Sequence, residues 1–432
     1  MDKFVRMRKS RNSWKAKAVF RASQLREQRK AGKRYKASIS RLKAENAALR
    51  LTSVPSASQL PVPIPIIPWI HLRTLCVMTV ISGIVSFRAV PRLLGVFQLF
   101  SSIQIQVVPH FTSVIHWSLR AGLALFNQVV IVQESWVAII DCSIDVGTRK
   151  ALVVLRVPLS ALSGKLTAIG LEDCQCLGVK IASVWDGEQV KNALTEIFAQ
   201  SGMPRAILKD GGTDLNKGVR LYRETEGAQK VWGIDDVGHT AANALKAEFS
   251  KRSAFTRFLE IVRKGAARIR QTDLAWLSPP KIRTRGRFQG ITAVAEWAER
   301  ILRLMGGQGR SKDNSQSSGL RKAFHGLSQL RSFLEQFGAT CRVTEQFLKI
   351  MKQQGVNQKS YAEAKALLEQ LPGRSKVRTN LLSWLDRHLR LQCRLGIGQM
   401  PLMVSSDVIE SLFGKFKTII QRNPQAELNR LV

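Results

Sequence analysis

The hydrophobic pattern between residues 131 and 250 is that of strands followed by helices. Short apolar runs, several of them rich in β-branched residues, predict β-strands at 136–141, 151–158, 206–210 and 231–235. Amphipathic stretches predict helices at 187–200, 214–224 and 240–251. The alternation of the two kinds of element indicates a mixed α/β domain.

Helical periodicity replaces this pattern on both sides. Residues 69–130 predict three helices, at 69–82, 87–100 and 114–126, which we interpret as a DNA-binding domain of the helix-turn-helix type. A small helical packing domain without DNA contact would show the same pattern. Residues 251–400 are helical almost throughout, with a break rich in Gly, Ser and Lys at 306–319. A large all-α domain is therefore predicted there.

The first 68 residues carry little apolar pattern. Residues 1–50 contain 17 Lys and Arg against 3 Asp and Glu, and they predict a basic helix with a short coiled coil near its end. A solvated tail without a partner is the alternative, because blocks of like charge are often disordered. Residues 51–68 are rich in proline and predict an extended linker.

The whole chain is strongly basic. A net charge of +36 over 432 residues points to a polyanion, and nucleic acid is the usual one. A hydrophobic content of 45% excludes a disordered tail protein. The six cysteines form no CxxC pair and no zinc-like spacing, which indicates free thiols in a reducing cytosol. Because the apolar stretch 61–87 holds four prolines, we expect that it does not span a membrane. We expect a cytoplasmic, nucleoid-associated protein.

Basic and aromatic side chains mark the expected contacts with double-stranded DNA. Arg120 lies in the third predicted helix of 69–130. Arg283, Arg285 and Arg287 lie in the all-α block. The N-terminal segment supplies the other basic positions: Lys15, Lys17, Arg21, Arg29, Lys30, Lys33 and Arg34. Trp276 is a candidate for stacking on an unpaired base. Trp297 lies in a helical Ala-rich pattern that favours core packing.

Three carboxylates occupy positions suited to a shared metal site. Asp141 and Asp210 each end an apolar strand, and Glu410 lies early in a helix that Ser405 or Ser406 could cap. Hard cations take oxygen ligands, and pairs of them promote phosphodiester chemistry. The pattern therefore predicts two Mg²⁺ or Mn²⁺ ions at these acids. The alternative is an ordinary turn at Asp210 and a first-turn Glu410 favoured by the helix dipole.

These acids and their neighbours resemble the DDE transposases of bacterial insertion sequences, of the unclassified ISNCY kind. The similar segments are Asp141-Cys-Ser-Ile-Asp-Val-Gly-Thr-Arg-Lys150, Asp210-Gly-Gly-Thr-Asp-Leu-Asn-Lys-Gly and Ser406-Asp-Val-Ile-Glu410-Ser-Leu-Phe-Gly-Lys, and the basic opening from Ser10 is similar as well. The resemblance covers most of the chain. It implies an RNase H-like mixed sheet core, formed by residues 131–250 and 401–432 and interrupted by an all-α insertion at 251–400.

The insertion resembles that of hAT-type transposases. Those proteins carry a C/D-x-x-H element after the second acid, and Asp236-Val-Gly-His239 matches it. The resemblance implies that His239 is a catalytic residue, close to the scissile phosphate or steadying the carboxylates. The alternative is a helix cap at Asp236 with a packed histidine. Relatives continue with more apolar helix where this sequence stops, 22 residues after Glu410, so we expect a C-terminal truncation.

Together these patterns predict a DNA transposase. It would bind transposon ends and target DNA as a homo-oligomer, and cleave and transfer strands with two metal ions. Two other functions stay open. One is a catalytically inactive, decayed or domesticated DNA-binding protein, and the other is an RNase H-like structure-specific nuclease.

The charge of residues 1–50 leads to a prediction about DNA affinity. A log–log plot of affinity against salt should have a slope of magnitude at least about 6, and deleting residues 1–50 should flatten it, because fewer counterions are released. Fluorescence anisotropy titrations of both proteins measure the two slopes. Equal slopes would show that the N-terminal segment makes no contact with DNA.

Overall fold

The chain divides into two units. A computed structural model describes residues 22, 36–44, 66–101, 104–128, 134–146, 149–162, 169–282, 288–306 and 313–422. The first unit comprises residues 1–66 and 101–104. Within it, residues 36–44 are helical and exposed, and most of the predicted basic helix at 1–50 lies outside the described residues. The second unit comprises residues 67–100 and 105–432 and contains the sheet.

A five-stranded mixed sheet forms the centre of the second unit. Its strands are β1 (Trp136–Val146), β2 (Arg149–Pro158), β3 (Gln175–Ala182), β4 (Ala206–Lys209) and β5 (Trp232–Asp235). They lie in the order β3-β2-β1-β4-β5. The β1–β2 and β2–β3 pairs are antiparallel, whereas β4 is parallel to both β1 and β5. This is the arrangement of an RNase H-like sheet, so the predicted α/β fold class is confirmed.

Strand β3 is the one strand that the hydrophobic pattern did not predict. Its residues, Gln-Cys-Leu-Gly-Val-Lys-Ile-Ala, include Gln175 and Lys180, and only Gly178 among them is buried. The strand lies at the edge of the sheet, where little of its surface faces a core. An edge strand therefore lacks the continuous apolar run by which the central strands are recognised.

Both faces of the sheet are covered, which explains the apolar run of β1. Ile139 packs into one core cluster and Ile140 into the other, each with no exposed surface. Side chains alternate across a strand, so consecutive residues enter different cores. Helices α5 (Gly187–Ser201) and α6 (Thr213–Arg223) belong to the second cluster. Helix α7 (Val237–Phe249) belongs to the first, and a short helix α4 (Leu159–Leu162) follows β2.

The predicted all-α insertion extends the first core cluster. It consists of α8 (Ser253–Ile269), α9 (Thr292–Gly306), α10 (Asp313–Ala323), α11 (Arg331–Gln354), α12 (Gln358–Glu369) and α13 (Lys376–Arg394). Phe249 of α7, Phe255 of α8 and Phe337 of α11 pack edge to face, which joins the insertion to the sheet. The break predicted at 306–319 is shorter than expected, because α10 already begins at Asp313.

Three helices precede the sheet at nearly the predicted positions: α1 (Trp69–Ile81), α2 (Ala89–Phe100) and α3 (Phe111–Phe126). They share a small core that includes Leu72, Cys76, Val90 and Val114. Their role as a reader of DNA stays a prediction. Among the described residues, no helix is both long and apolar enough to cross a membrane. After the insertion the chain returns to the sheet as α14 (Asp407–Arg422).

The last helix of the insertion, α13, protects the open edge of β5. The Trp384 indole N–H donates to the Asp235 carbonyl at 3.2 Å, and the Asp235 N–H donates to His388 Nε2 at 3.1 Å. His388 Nδ1 lies 2.7 Å from the Trp384 carbonyl, so it must donate there. Both ring nitrogens are thereby satisfied only in the neutral imidazole. Side chains of α13 thus take the hydrogen bonds that another strand would otherwise form.

The buried His388 should make the stability of the protein depend on pH. Burial lowers its pKa to about 4 from an ordinary value of 6.5. The unfolded chain therefore binds the extra proton first, and the free energy of unfolding should fall as pH drops from 6.5 towards 4, by up to about 3 kcal/mol. Urea melts of the wild type and of His388→Gln at several pH values measure this. The difference between the two curves should grow with pH across that window, and a constant difference would contradict the assignment.

Candidate active site

Strands β1 and β4 bring Asp141 and Asp210 to the same end of the sheet. Ile140 pairs with Lys209 in the parallel register, so the next residue of each strand is an aspartate. Burial, together with the nearby charges of Asp210 and Glu410, raises the pKa of Asp141 to about 7, against the opposing charge of His239. Asp210 directly follows β4, but β1 continues to Val146 and pairs Asp141 with Val153, so the prediction that Asp141 ends its strand is wrong. The two carboxylates still lie at one level because the strands that carry them pair in register.

The two glycines after Asp210 are required by close approach. The Gly212 N–H donates to Asp210 Oδ1 at 2.8 Å, and a Cβ on Gly212 would lie 2.8 Å from the same oxygen. A Cβ on Gly211 would lie 3.0 Å from Asn243 Nδ2, on helix α7. Side chains at these positions would press against the Asn243 amide and displace the Asp210 carboxylate. The Asp-Gly-Gly sequence therefore serves to present the carboxylate beside α7.

Helix α14 contributes Glu410, and helix α7 contributes His239. His239 Nε2 lies 3.6 Å from Glu410 Oε1. The adjacent Glu410 carboxylate raises the pKa of His239 to about 9, against the effect of burial, with further support from the charges of Asp236 and Asp210. The imidazole is therefore protonated at neutral pH. Gln289 Nε2 lies 3.3 Å from His239 Nε2, and this amide nitrogen can donate only to a neutral ring, so beside the imidazolium the amide would present its oxygen instead.

Asp236 and His239 have different structural roles, although they belong to one sequence element. Its carboxylate accepts the His239 N–H at 2.8 Å, which is the N-cap bond of α7. It also accepts the N–H and the hydroxyl of Ser406, at 2.8 and 3.0 Å. The side chain is only 3% exposed. The spacing of three residues between Asp236 and His239 is therefore that of a helix N-cap, which was the alternative interpretation of this element. The His239 side chain, by contrast, faces the carboxylates.

The donor set has the chemistry of a hard-cation site but not its spacing. Asp141 of β1, Asp210 after β4 and Glu410 of α14 interact electrostatically, and burial together with this negative charge raises the pKa of Asp141. A divalent cation would relieve this repulsion, and Mg²⁺ and Mn²⁺ prefer such oxygen ligands. Among the described residues, however, no three of His, Cys, Asp and Glu stand at metal-ligand spacing. Glu410 is engaged instead with His239.

Comparisons with known proteins give a distant structural similarity. No family model matches the chain, and no curated protein matches it. Among solved structures it is similar to the Drosophila P element transposase strand transfer complex. The match has 11% identity and a TM-score of 0.39, and it covers 88% of this chain and 98% of that chain. A similarity this weak supports no statement about residues or activity, so the site is argued from its own geometry.

The other predicted site residues are dispersed. Arg120 is exposed on α3, and Trp276 is 66% exposed in a single 3₁₀ turn, as a stacking residue would require. Trp297 is buried and donates to the Leu277 carbonyl at 2.8 Å, which confirms its packing role. The remaining predicted DNA contacts lie outside the described residues: Lys15, Lys17, Arg21, Arg29, Lys30, Lys33, Arg34, Arg283, Arg285 and Arg287.

Sequence reasoning missed Gln289 and Asn243 as neighbours of the site. Neither stands in a motif, and Gln289 lies 50 positions from the histidine that it contacts. The sequence predicted Ser406 as a possible helix cap. No pattern indicated that Ser406 would donate hydrogen bonds to Asp236, which lies 170 positions earlier in the chain. A hydrogen bond between such distant residues leaves no periodic signal in the sequence.

The position of Asp236 leads to a prediction about stability. Asp236→Ala should lower the free energy of unfolding by roughly 2–4 kcal/mol, because it removes one helix cap and leaves buried donors of Ser406 unpaired. Asp186→Ala is a matched control, since Asp186 caps α5 through Gln189 N–H at 2.8 Å. Its loss should cost about 1 kcal/mol. Equal losses in urea melts would show that Asp236 acts as a cap alone.

Proposed function

We propose that this chain is a DNA transposase of the DDE type. The observation that carries the proposal is the convergence of Asp141, Asp210 and Glu410, in that order along the chain, at one end of an RNase H-like sheet. The resemblance to bacterial insertion-sequence transposases selected the same three acids. A net charge of +36 supports a polyanionic substrate.

In the proposed mechanism the three acids hold two Mg²⁺ or Mn²⁺ ions. When bound, such ions activate a water or a 3′-hydroxyl and stabilise the leaving oxygen. The chain itself supplies position and charge. The in-register pairing of β1 with β4 brings Asp141 and Asp210 to one level of the sheet, and the Gly212 N–H orients the Asp210 carboxylate. Double-stranded DNA from transposon ends and targets is the proposed substrate, and a homo-oligomer in the bacterial nucleoid is the proposed assembly.

His239 has two parts in this proposal. As a cation it lies against Glu410 and holds that carboxylate at the site in the absence of metal. Once Glu410 binds a cation, the imidazolium would be able to donate to a phosphate oxygen of the scissile bond. The buried Asp236 fixes the backbone of His239 but takes no part in either role.

A DNA-binding protein without catalysis is the second candidate. The observation in its favour is the spacing of the acids, since among the described residues no three potential ligands stand at metal-binding distance. The two candidate functions differ in whether divalent ions lead to cleavage of the bound DNA. A transposase would cleave at the ends of its own element, whereas the binder would only occupy them.

Cleavage assays with Mg²⁺ test the proposal on DNA from the borders of the gene, where paired inverted repeats are expected. Glu410→Gln should abolish cleavage and strand transfer, because an amide is a poor ligand for a hard cation. Asp407→Asn is the control. It lies on the same helix and pairs with Lys352 at 2.7 Å on the surface, so it should cleave like the wild type. Failure of the wild type to cleave any border fragment would favour the second candidate.

A change at His239 tests the proposed phosphate contact. His239→Gln should lower the cleavage rate about 10²–10⁴-fold, the usual range for a group that acts in proton transfer or positioning. DNA binding and the melting temperature should stay close to those of the wild type, because the cap bond uses the backbone of residue 239. A cleavage rate per folded molecule equal to that of the wild type would remove His239 from the active site.

A further inference from the structure

A basic cavity of about 490 Å³ opens between α6, β5 and α13. We call it the arginine cavity, after the cations that line it: Lys209, Arg220, Arg223, Arg387, Arg390 and Arg394. Asp235 is the one carboxylate among its lining residues. None of these arginines belongs to the basic segments predicted from the sequence. Their charges come together only because two distant helices flank the same edge strand.

Trp232 of β5 organises two of the arginines. The guanidinium of Arg223, from α6, lies 5.6 Å from the centroid of the indole ring, and that of Arg394, from α13, lies 5.5 Å from it. Arg223 Nε also donates to the Val231 carbonyl at 2.6 Å. Cation–π contacts and this bond hold the guanidiniums in place, while each still has further N–H donors to offer. The cavity is thus prearranged for an anionic ligand.

The carboxylate of the cavity is already paired. Asp235 lies 2.5 Å from Lys209 Nζ and 3.7 Å from Arg387 Nη2. Lys209 is only 6% exposed, so this pair neutralises itself inside the protein. At the rim, Arg220 lies 3.9 Å from Glu224. Asp235 can neutralise only one of Lys209 and Arg387, so one of these charges and those of Arg223, Arg390 and Arg394 are left in excess. Such an excess on a concave surface is unfavourable until an anion binds.

The spacing of the arginines suits an extended anion. Arg387, Arg390 and Arg394 lie on one face of α13, since they are three and four residues apart. At 1.5 Å per residue they span about 10 Å. One strand of duplex DNA carries about three phosphates over the same length. A row of guanidiniums is better matched to such a backbone than to a single small anion.

We propose that the arginine cavity binds the phosphodiester backbone of duplex DNA beside the acidic end of the sheet. Lys209 and Asp235 stand one residue before Asp210 and Asp236 on β4 and β5, so the cavity adjoins that end. The inference rests on the proposed function only in taking DNA as the partner. It requires no chemistry at the carboxylates and holds equally for a protein that binds DNA without cutting it.

The test is the salt dependence of DNA binding by the full chain, measured by fluorescence anisotropy in EDTA so that cleavage plays no part. The double variant Arg390→Gln and Arg394→Gln changes two exposed side chains. It should reduce the log–log slope by about 2, since each lost phosphate contact contributes about 0.9. Arg300→Gln with Arg303→Gln is the matched control, an exposed pair on α9 that should leave the slope unchanged.

The outcomes separate this proposal from the function above. An unchanged slope in the cavity variant, or an equal reduction in the control, would overturn the arginine cavity as a DNA site while leaving the transposase proposal intact. A reduced slope with no cleavage by the wild type would support the cavity and overturn the catalytic assignment. If calorimetry shows that inorganic triphosphate binds the wild type but not the variant, while the DNA slopes are equal, the site takes a small anion instead. Equal melting temperatures establish that both variants are folded.

Discussion

The carboxylate of Asp236 joins the parts on which the candidate active site depends. It caps α7 through the His239 N–H and accepts two hydrogen bonds from Ser406, the residue before α14. Its own N–H donates to the Lys209 carbonyl at the end of β4, and the neighbouring Val237 N–H donates to Val404. One buried side chain and its backbone therefore connect the elements that carry Asp210, His239 and Glu410. Because an unpaired buried donor or acceptor is unfavourable, these elements keep their relative positions.

A second constraint is electrostatic. The chain is strongly basic, yet its sheet ends in a set of carboxylates whose mutual repulsion and burial raise the pKa of Asp141. Without a cation the set is partly balanced from within, by a proton on Asp141 and by the imidazolium of His239 beside Glu410. The burial and charge of these groups therefore offset one another at this end of the sheet.

The edge strand β5 separates two regions of opposite charge. At Asp236 it passes into the acidic end of the sheet, and at Trp232 and Asp235 it forms the floor of the arginine cavity. Helix α13 closes its open side through Trp384 and His388, whose ring nitrogens take up the free backbone groups of Asp235. The inserted domain is thus part of the core structure and not an appendage. It protects the sheet edge and contributes three of the clustered arginines.

Local patterns in the sequence determined most of the elements. The apolar runs that end at Asp141 and Asp210 predicted two central strands, because a strand buried on both faces must be apolar throughout. Amphipathic periodicity predicted the three helices before the sheet and the helical insertion, since one face of each helix meets a core. The pair Gly211 and Gly212 marked a tight turn directly after Asp210. The positions of the three acids, together with the family resemblance, selected the candidate site.

Only the tertiary structure decided what lies around those elements. Strand β3 escaped prediction because an edge strand buries too little surface to need an apolar run. The bond between Asp236 and Ser406, the ring of His388 against Asp235 and the arginines around Trp232 all join residues far apart in the chain. Such contacts join individual atoms of different elements, so they leave no periodic pattern in the sequence. Hydrophobic periodicity therefore predicts which surfaces are buried, whereas the partners of each buried polar group depend on how the surfaces meet.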